Sequence, residues 1–80
     1  MTTTEATIAG FIQEKILRSD AAISPDVLLL EQGVLDSLGL QQLVQFLESD
    51  FGVQLDDDQL LPENFESIRS VARLVDNLKR

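Results

Sequence analysis

GVLDSLGLQQLVQFLESDFG, residues Gly33–Gly52, is the stretch whose reading decides the fold. Leu40, Leu43, Val44, Leu47 and Phe51 recur at the three- and four-residue spacing of one helical face. Asp36 and Ser37 stand just before that stripe, and short oxygen-bearing side chains are what a helix start uses to satisfy its unpaired backbone donors. Gly52 closes the stripe, because glycine accepts the left-handed conformation common just past a helix end. The pattern predicts a helix that opens at Asp36-Ser37 and puts Ser37 in its first turn. Unpaired amides and the positive end of the helix dipole would stabilise a phosphate linked to the Ser37 oxygen there. Asp36 is placed to cap the helix, or to engage a metal or basic group of a modifying enzyme. Leu38 falls outside the inward stripe, and an exposed leucine beside a reactive serine reads as a docking contact. Asp-Ser at a helix start is also ordinary capping, and single exposed leucines are common, so the tripeptide alone leaves both readings open.

Upstream, Thr2-x-x-Glu5 fits a capping box, and Ile8, Phe11, Ile12 and Ile16 follow at helical spacing. They predict a first helix from about Thr4 to Arg18. A long connection follows, Ser19 to Leu35, with turn chemistry at Ser24-Pro25-Asp26 and seven large apolar residues: Ile23, Val27, Leu28, Leu29, Leu30, Val34 and Leu35. A loop this apolar is expected to be pinned across the bundle, with Gly33 allowing the chain to turn. Downstream, Val53 to Leu61 is an aspartate-rich connection and Pro62-Glu63-Asn64-Phe65 suggests one short helical turn. Ser67 is the expected N-cap of a last helix with Ile68, Val71, Ala72, Val75 and Leu78 facing inward. Strand-like alternation is not sustained anywhere. The expectation is an all-α bundle of three longer helices plus one short helix, with a long first loop, as a single domain over residues 1–80.

The composition narrows the chemistry. The 80 residues include neither cysteine nor histidine, so disulfides, thiolate metal ligands and the serine–histidine or cysteine–histidine pairings of nucleophilic catalysis are excluded. Fourteen acidic against six basic residues give a formal net charge of -8, the wrong sign for nucleic acid or an anionic membrane surface. Partners with basic patches would be steered toward it. Asp56-Asp57-Asp58 lacks the alternate spacing and central glycine of a calcium loop and reads as a solvated loop. The first residues, Met1-Thr2-Thr3-Thr4-Glu5, lack the basic start and apolar stretch of a secretion signal, which points to a cytoplasmic protein without stable membrane insertion.

Asp36-Ser37-Leu38 resembles the Asp-Ser-Leu core of acyl carrier proteins, in which the serine receives 4′-phosphopantetheine. The likeness extends over nearly the whole chain, including the run Leu43-Val44-x-x-Leu47-Glu48-x-x-Phe51-Gly52 and the last-helix pattern at similar distances from the serine. It implies that Ser37 is the attachment site, that the arm supplies the thiol the chain lacks, and that the protein itself catalyses nothing. The implied partners are a phosphopantetheinyl transferase using coenzyme A and a divalent metal, an acyl- or aminoacyl-activating ligase, and a downstream acyltransferase or condensing enzyme. Carriers of this type are usually monomers. Fatty-acid carriers resemble one another in an acidic outward face after the serine, whereas here that face reads Gln41, Gln42, Gln45 and Glu48, expected with Asp36 and Leu38 to recognise partners. Gly-Val-Leu-Asp-Ser-Leu and Glu63-Asn64-Phe65-Glu66-Ser67-Ile68 are closer to stand-alone D-alanyl, aminoacyl or specialised-metabolism carriers. Two rivals remain from the residues: an unmodified acidic helical module that binds a basic partner, and an acid–base enzyme using paired carboxylates, for which the sequence offers no facing pair.

Overall fold

Three helices form where the apolar spacing predicts them, and each is started by a side-chain cap. The structure is a computed structural model and describes residues 2–18 and 23–79. Helix α1 (Thr3–Phe11) opens with the capping box, in which Thr2 accepts from the Glu5 amide and Glu5 accepts from the Thr2 amide. Helix α2 (Ser37–Phe51) is capped by Asp36, and α3 (Ile68–Leu78) by Ser67, whose hydroxyl accepts from the Ser70 amide. Pro62–Phe65 forms a 3-10 turn. No strand occurs among the described residues, so the fold is all-α.

The first helix departs from the expected regular α-helix. From Ile12 to Leu17 the chain continues as π-helix and ends at Arg18 in the left-handed region, φ 51°, with the Arg18 amide donating to the Gln13 carbonyl. Ile8, Ile12 and Ile16 are four residues apart, and a spacing of four stays on one face in both windings, so periodicity alone did not separate them. Ile8 and Ile12 are fully buried, and Ile16 packs on the edge of the same core. The start of the expected first connection, at Ser19, lies outside the described residues.

The connection is pinned as its composition demanded. Ile23, Leu29 and Leu35 are buried, whereas Leu30 is 38% exposed. Its backbone is tied in as well: the Leu29 amide donates to the Glu66 carbonyl (2.7 Å), the Leu35 amide to the Leu29 carbonyl (3.0 Å), and the Arg69 amide to the Pro25 carbonyl (3.0 Å). Gly33 turns the chain at φ 74°, where a side chain would be strained. These bonds satisfy backbone groups that a loop crossing an apolar bundle would otherwise leave unpaired. The core they close contains Leu43 and Leu47 of α2, Phe65, and Ile68, Val71 and Val75 of α3, all essentially inaccessible. Leu40, Val44, Phe51 and Leu78 pack at its margin. No helix among the described residues is long and apolar enough to cross a membrane.

Two predictions follow from this packing. Leu29→Ala removes a fully buried side chain and should cost about 2–5 kcal/mol, while Leu30→Ala should cost less than about 1 kcal/mol, read as urea midpoints at unchanged slope. A loop free of the bundle would make the two variants alike. The second concerns Glu5, whose carboxyl is held below the ordinary value of 4.5 by the Thr2 backbone hydrogen bond, with further help from the Thr2 side chain and the Arg69 guanidinium against the opposing effect of burial. A depressed folded-state value means that the unfolded chain takes up the proton first. The stabilisation is complete above about pH 4.5 and is lost as pH falls through the lower folded value. Glu5→Gln should therefore remove part of the acid sensitivity, and its stability difference from wild type should shrink in acid; a difference constant with pH would contradict this assignment.

Candidate functional site

Ser37 is the first residue of α2 and is exposed. The cap belongs to its neighbour: the Gly39 amide donates to Asp36 Oδ1 at 2.7 Å, and the Leu40 amide donates to the Asp36 carbonyl at 2.8 Å. Two donors of the opening turn are thereby satisfied. The other two, the Ser37 and Leu38 amides, have no acceptor among the described residues. The Ser37 hydroxyl takes no part in the cap, so the turn does not depend on it.

The turn is held from below by close packing. Gly39 is buried, and a Cβ there would lie 3.2 Å from Asp36 Oδ1, 3.6 Å from Leu35 Cδ2 and 3.7 Å from Ile16 Cγ2. A methyl there would make ordinary contact with the pinned loop and the π-wound segment and would press only on the capping carboxylate. Sequence reading missed this residue. Its signal was a glycine inside a helical first turn, where helix propensity alone favours alanine by about 1 kcal/mol.

The expected recognition residues distribute unevenly. Leu38 is 63% exposed, the most exposed of the large apolar side chains among the described residues. Gln41, Gln42 and Gln45 are exposed on α2. Gln41 and Gln45 border a groove with Leu40, Val44 and Leu60, and Gln42 and Gln45 line a second groove with Lys15 and Arg18. Glu48 is turned away from the others: it is half-buried and its carboxylate accepts from the Leu55 amide at 3.0 Å, which anchors the connection after α2. Phe46, also missed, stacks on Phe11 with ring centroids 4.2 Å apart and meets Phe51 edge-on at 6.2 Å. No group of three or more metal-ligating side chains occurs among the described residues.

The start of α2 thus presents an exposed hydroxyl beside a capping carboxylate. The comparison with known families agrees: a family model described as a phosphopantetheine attachment site matches residues 6–75, and the chain belongs to that family. It is a phosphopantetheine-bearing carrier protein of the acyl carrier kind. Its prosthetic group is covalent 4′-phosphopantetheine. Carrier domains of this family are not catalytic themselves; they interact with phosphopantetheinyl transferase and with acyl-handling enzymes.

The cap and the missing Cβ make a coupled prediction. Asp36→Ala should cost about 1 kcal/mol. Gly39→Ala alone should fail to deliver the roughly 1 kcal/mol that helix propensity offers, because the new Cβ crowds the capping carboxylate. In the Asp36→Ala background that gain should appear. Additive effects in the double-mutant cycle would show that the two positions are uncoupled.

Proposed function

We propose that Ser37 receives the phosphopantetheine arm and that the protein presents an aminoacyl or specialised acyl thioester to its partner enzymes. The observation that carries the attachment is the division of labour at the α2 start: Asp36 holds the turn, and Ser37 stands exposed beside it with no structural duty. In loading, the Ser37 oxygen bonds to phosphorus as the bond to the adenosine bisphosphate leaving group of coenzyme A breaks and the hydroxyl proton passes to a base of the transferase. The open Ser37 and Leu38 amides face the same end of the helix dipole and favour the resulting negative phosphodiester. Once attached, the arm supplies a thiol that bonds the cargo as a thioester. Everything else the chain does is presentation: a rigid helix start sets the origin of the arm, and the tether raises the cargo's concentration at a docked active site.

The subtype rests on the face beside that origin. Gln41, Gln42 and Gln45 replace the acids that fatty-acid carriers resemble one another in having, and Glu48 is drawn off to the Leu55 amide. Recognition of Asp36, Leu38 and the glutamines by a ligase or acyltransferase would then depend on apolar contact and hydrogen bonding more than on charge. Leu38, with the Leu40–Val44–Leu60 groove alongside, supplies the apolar part.

Incubation with coenzyme A and a broad-specificity phosphopantetheinyl transferase should add the mass of one arm to the wild-type chain and nothing to Ser37→Ala, whose urea midpoint should stay close to wild type. Equal mass gain in both, or none in the wild type when a control carrier is modified, would contradict the attachment. Leu38→Ala should still be modified but with kcat/KM lower by about tenfold, the expected effect of losing one well-buried apolar contact at an interface. An unchanged kcat/KM would remove Leu38 from the docking surface.

A further inference from the structure

The chain is acidic overall, yet its first 68 residues contain just two basic side chains, Lys15 and Arg18, and both lie beside the α2 start. They belong to the π-wound segment and to the left-handed residue that ends it. A recess of about 410 Å³ places them with Asp36, Leu38 and Gly39, the residues that surround Ser37. The same two cations, together with Gln42, line a second open groove of about 470 Å³ that runs between the π-wound segment and α2 to the stacked rings of Phe11 and Phe46. The recess and the groove share Lys15, Arg18 and Gln42, and so form one track from the residues that flank Ser37 in the chain to an aromatic surface, with the two cations along it.

We infer that this track is a resting site for the protein's own phosphopantetheine arm; the inference rests on attachment at Ser37. Charge complementarity selects the near end. The phosphodiester is an anion fixed one bond from the Ser37 oxygen, and Lys15 and Arg18 are the cations on the adjoining wall. Among the described residues neither cation forms an ion pair. Of the described acids that line the two openings, Asp36 accepts from the Gly39 amide and Asp50 lines the groove, and neither is paired with Lys15 or Arg18. Polarity selects the far end, where half-buried aromatic faces match the thiol-bearing ethylene carbons at the tip of the arm, and Gln42 and Gln45 offer partners to the amides that precede it. Reach is sufficient. Phe46 lies nine residues along α2 from Ser37, about 14 Å at the helical rise. The arm has the backbone length of about five extended residues, roughly 17 Å.

Exposed ion pairs and an open groove hold weakly, so the arm would leave it readily for a partner's active site. The groove lies on the other side of Gln45 from the Leu40–Val44–Leu60 surface. Parking the arm there leaves the Leu40–Val44–Leu60 surface uncovered while it overlies Gln42 and Gln45, so a partner that engages the glutamines would displace the arm.

The absence of cysteine makes the test direct, because the arm's thiol is the only one in the loaded protein. The protein is loaded from coenzyme A, its mass gain is confirmed, and the thiol is tagged with a nitroxide. Amide signals of Phe11, Lys15, Gln42 and Phe46 should then be broadened more than those of Leu40, Val44 and Leu60. Lys15→Glu/Arg18→Glu should reduce that broadening about threefold, and so should molar salt. Lys15→Gln/Arg18→Gln, which removes the charge without reversing it, should act in the same direction and serves if the first variant loses its fold by circular dichroism. Broadening centred on Leu40, Val44 and Leu60, spread evenly over the surface, or unchanged in the charge variants would overturn the inference while leaving attachment intact. No mass gain on wild type would instead defeat the attachment on which it rests.

Discussion

The hydrogen bond from the Gly39 amide to Asp36 Oδ1, at 2.7 Å, determines where α2 begins. A helix leaves its first amides unpaired, and the residue that satisfies them sets its starting point. Here Asp36 performs that task with a side chain lying on the solvent side, while Gly39, packed beside Leu35 and Ile16, brings no Cβ against the capping carboxylate. The pinned connection supplies the floor. Its bonds to the Pro25, Leu29 and Glu66 carbonyls bring Leu35 to the core just before the turn. Ser37 is consequently held in a defined place by its neighbours while contributing nothing to holding it. That separation suits a carrier, since a modified side chain with a structural role would couple loading to folding.

The same separation runs through the whole chain. With no disulfide available, an 80-residue domain depends on filling its core and tying its loops. The apolar residues of all three helices and of the first connection meet in one cluster. Glu5 links the opening turn of α1 to Arg69 at 3.7 Å, and Arg69 reaches Asp26 at 3.3 Å, so the N-terminus, the connection and α3 are joined at one corner. Arg69 is half exposed and these pairs are weak individually. Their value is positional. The outer side of α2, by contrast, is left to exposed glutamines and one prominent leucine, side chains that make few demands on the fold and are free to meet other proteins.

Much of this was legible in the sequence because it depends on local chemistry. Thr2 and Glu5 announce the first helix, Gly52 the end of the second at φ 67°, Pro62 the 3-10 turn and Ser67 the start of the last helix. The position of Ser37 was legible for the same reason: Asp36 is a capping residue, and the stripe behind it has one helical phase. What escaped reading depends on contacts between segments distant in the chain. The π winding leaves the four-residue spacing of Ile8, Ile12 and Ile16 unchanged and so carries no periodic signature. Phe46 sits beside the inward stripe and acquires a role only because Phe11 arrives over it. Glu48 reads as a surface acid until the Leu55 amide is brought within 3.0 Å. Leu29 and Leu30 are indistinguishable as letters, and only the path of the connection decides that one is buried and the other is not.

The most direct measurement of the central claim is native-state hydrogen exchange at the three successive amides of the opening turn, in the protein before it is loaded. Gly39, bonded to Asp36, should be strongly protected, while Ser37 and Leu38 should exchange at rates close to those of an unstructured chain. Gly39 exchanging as fast as its two neighbours would mean that the turn is not capped as described. Ser37 and Leu38 as slow as Gly39 would mean that the serine is sealed within the structure instead of displayed at its surface.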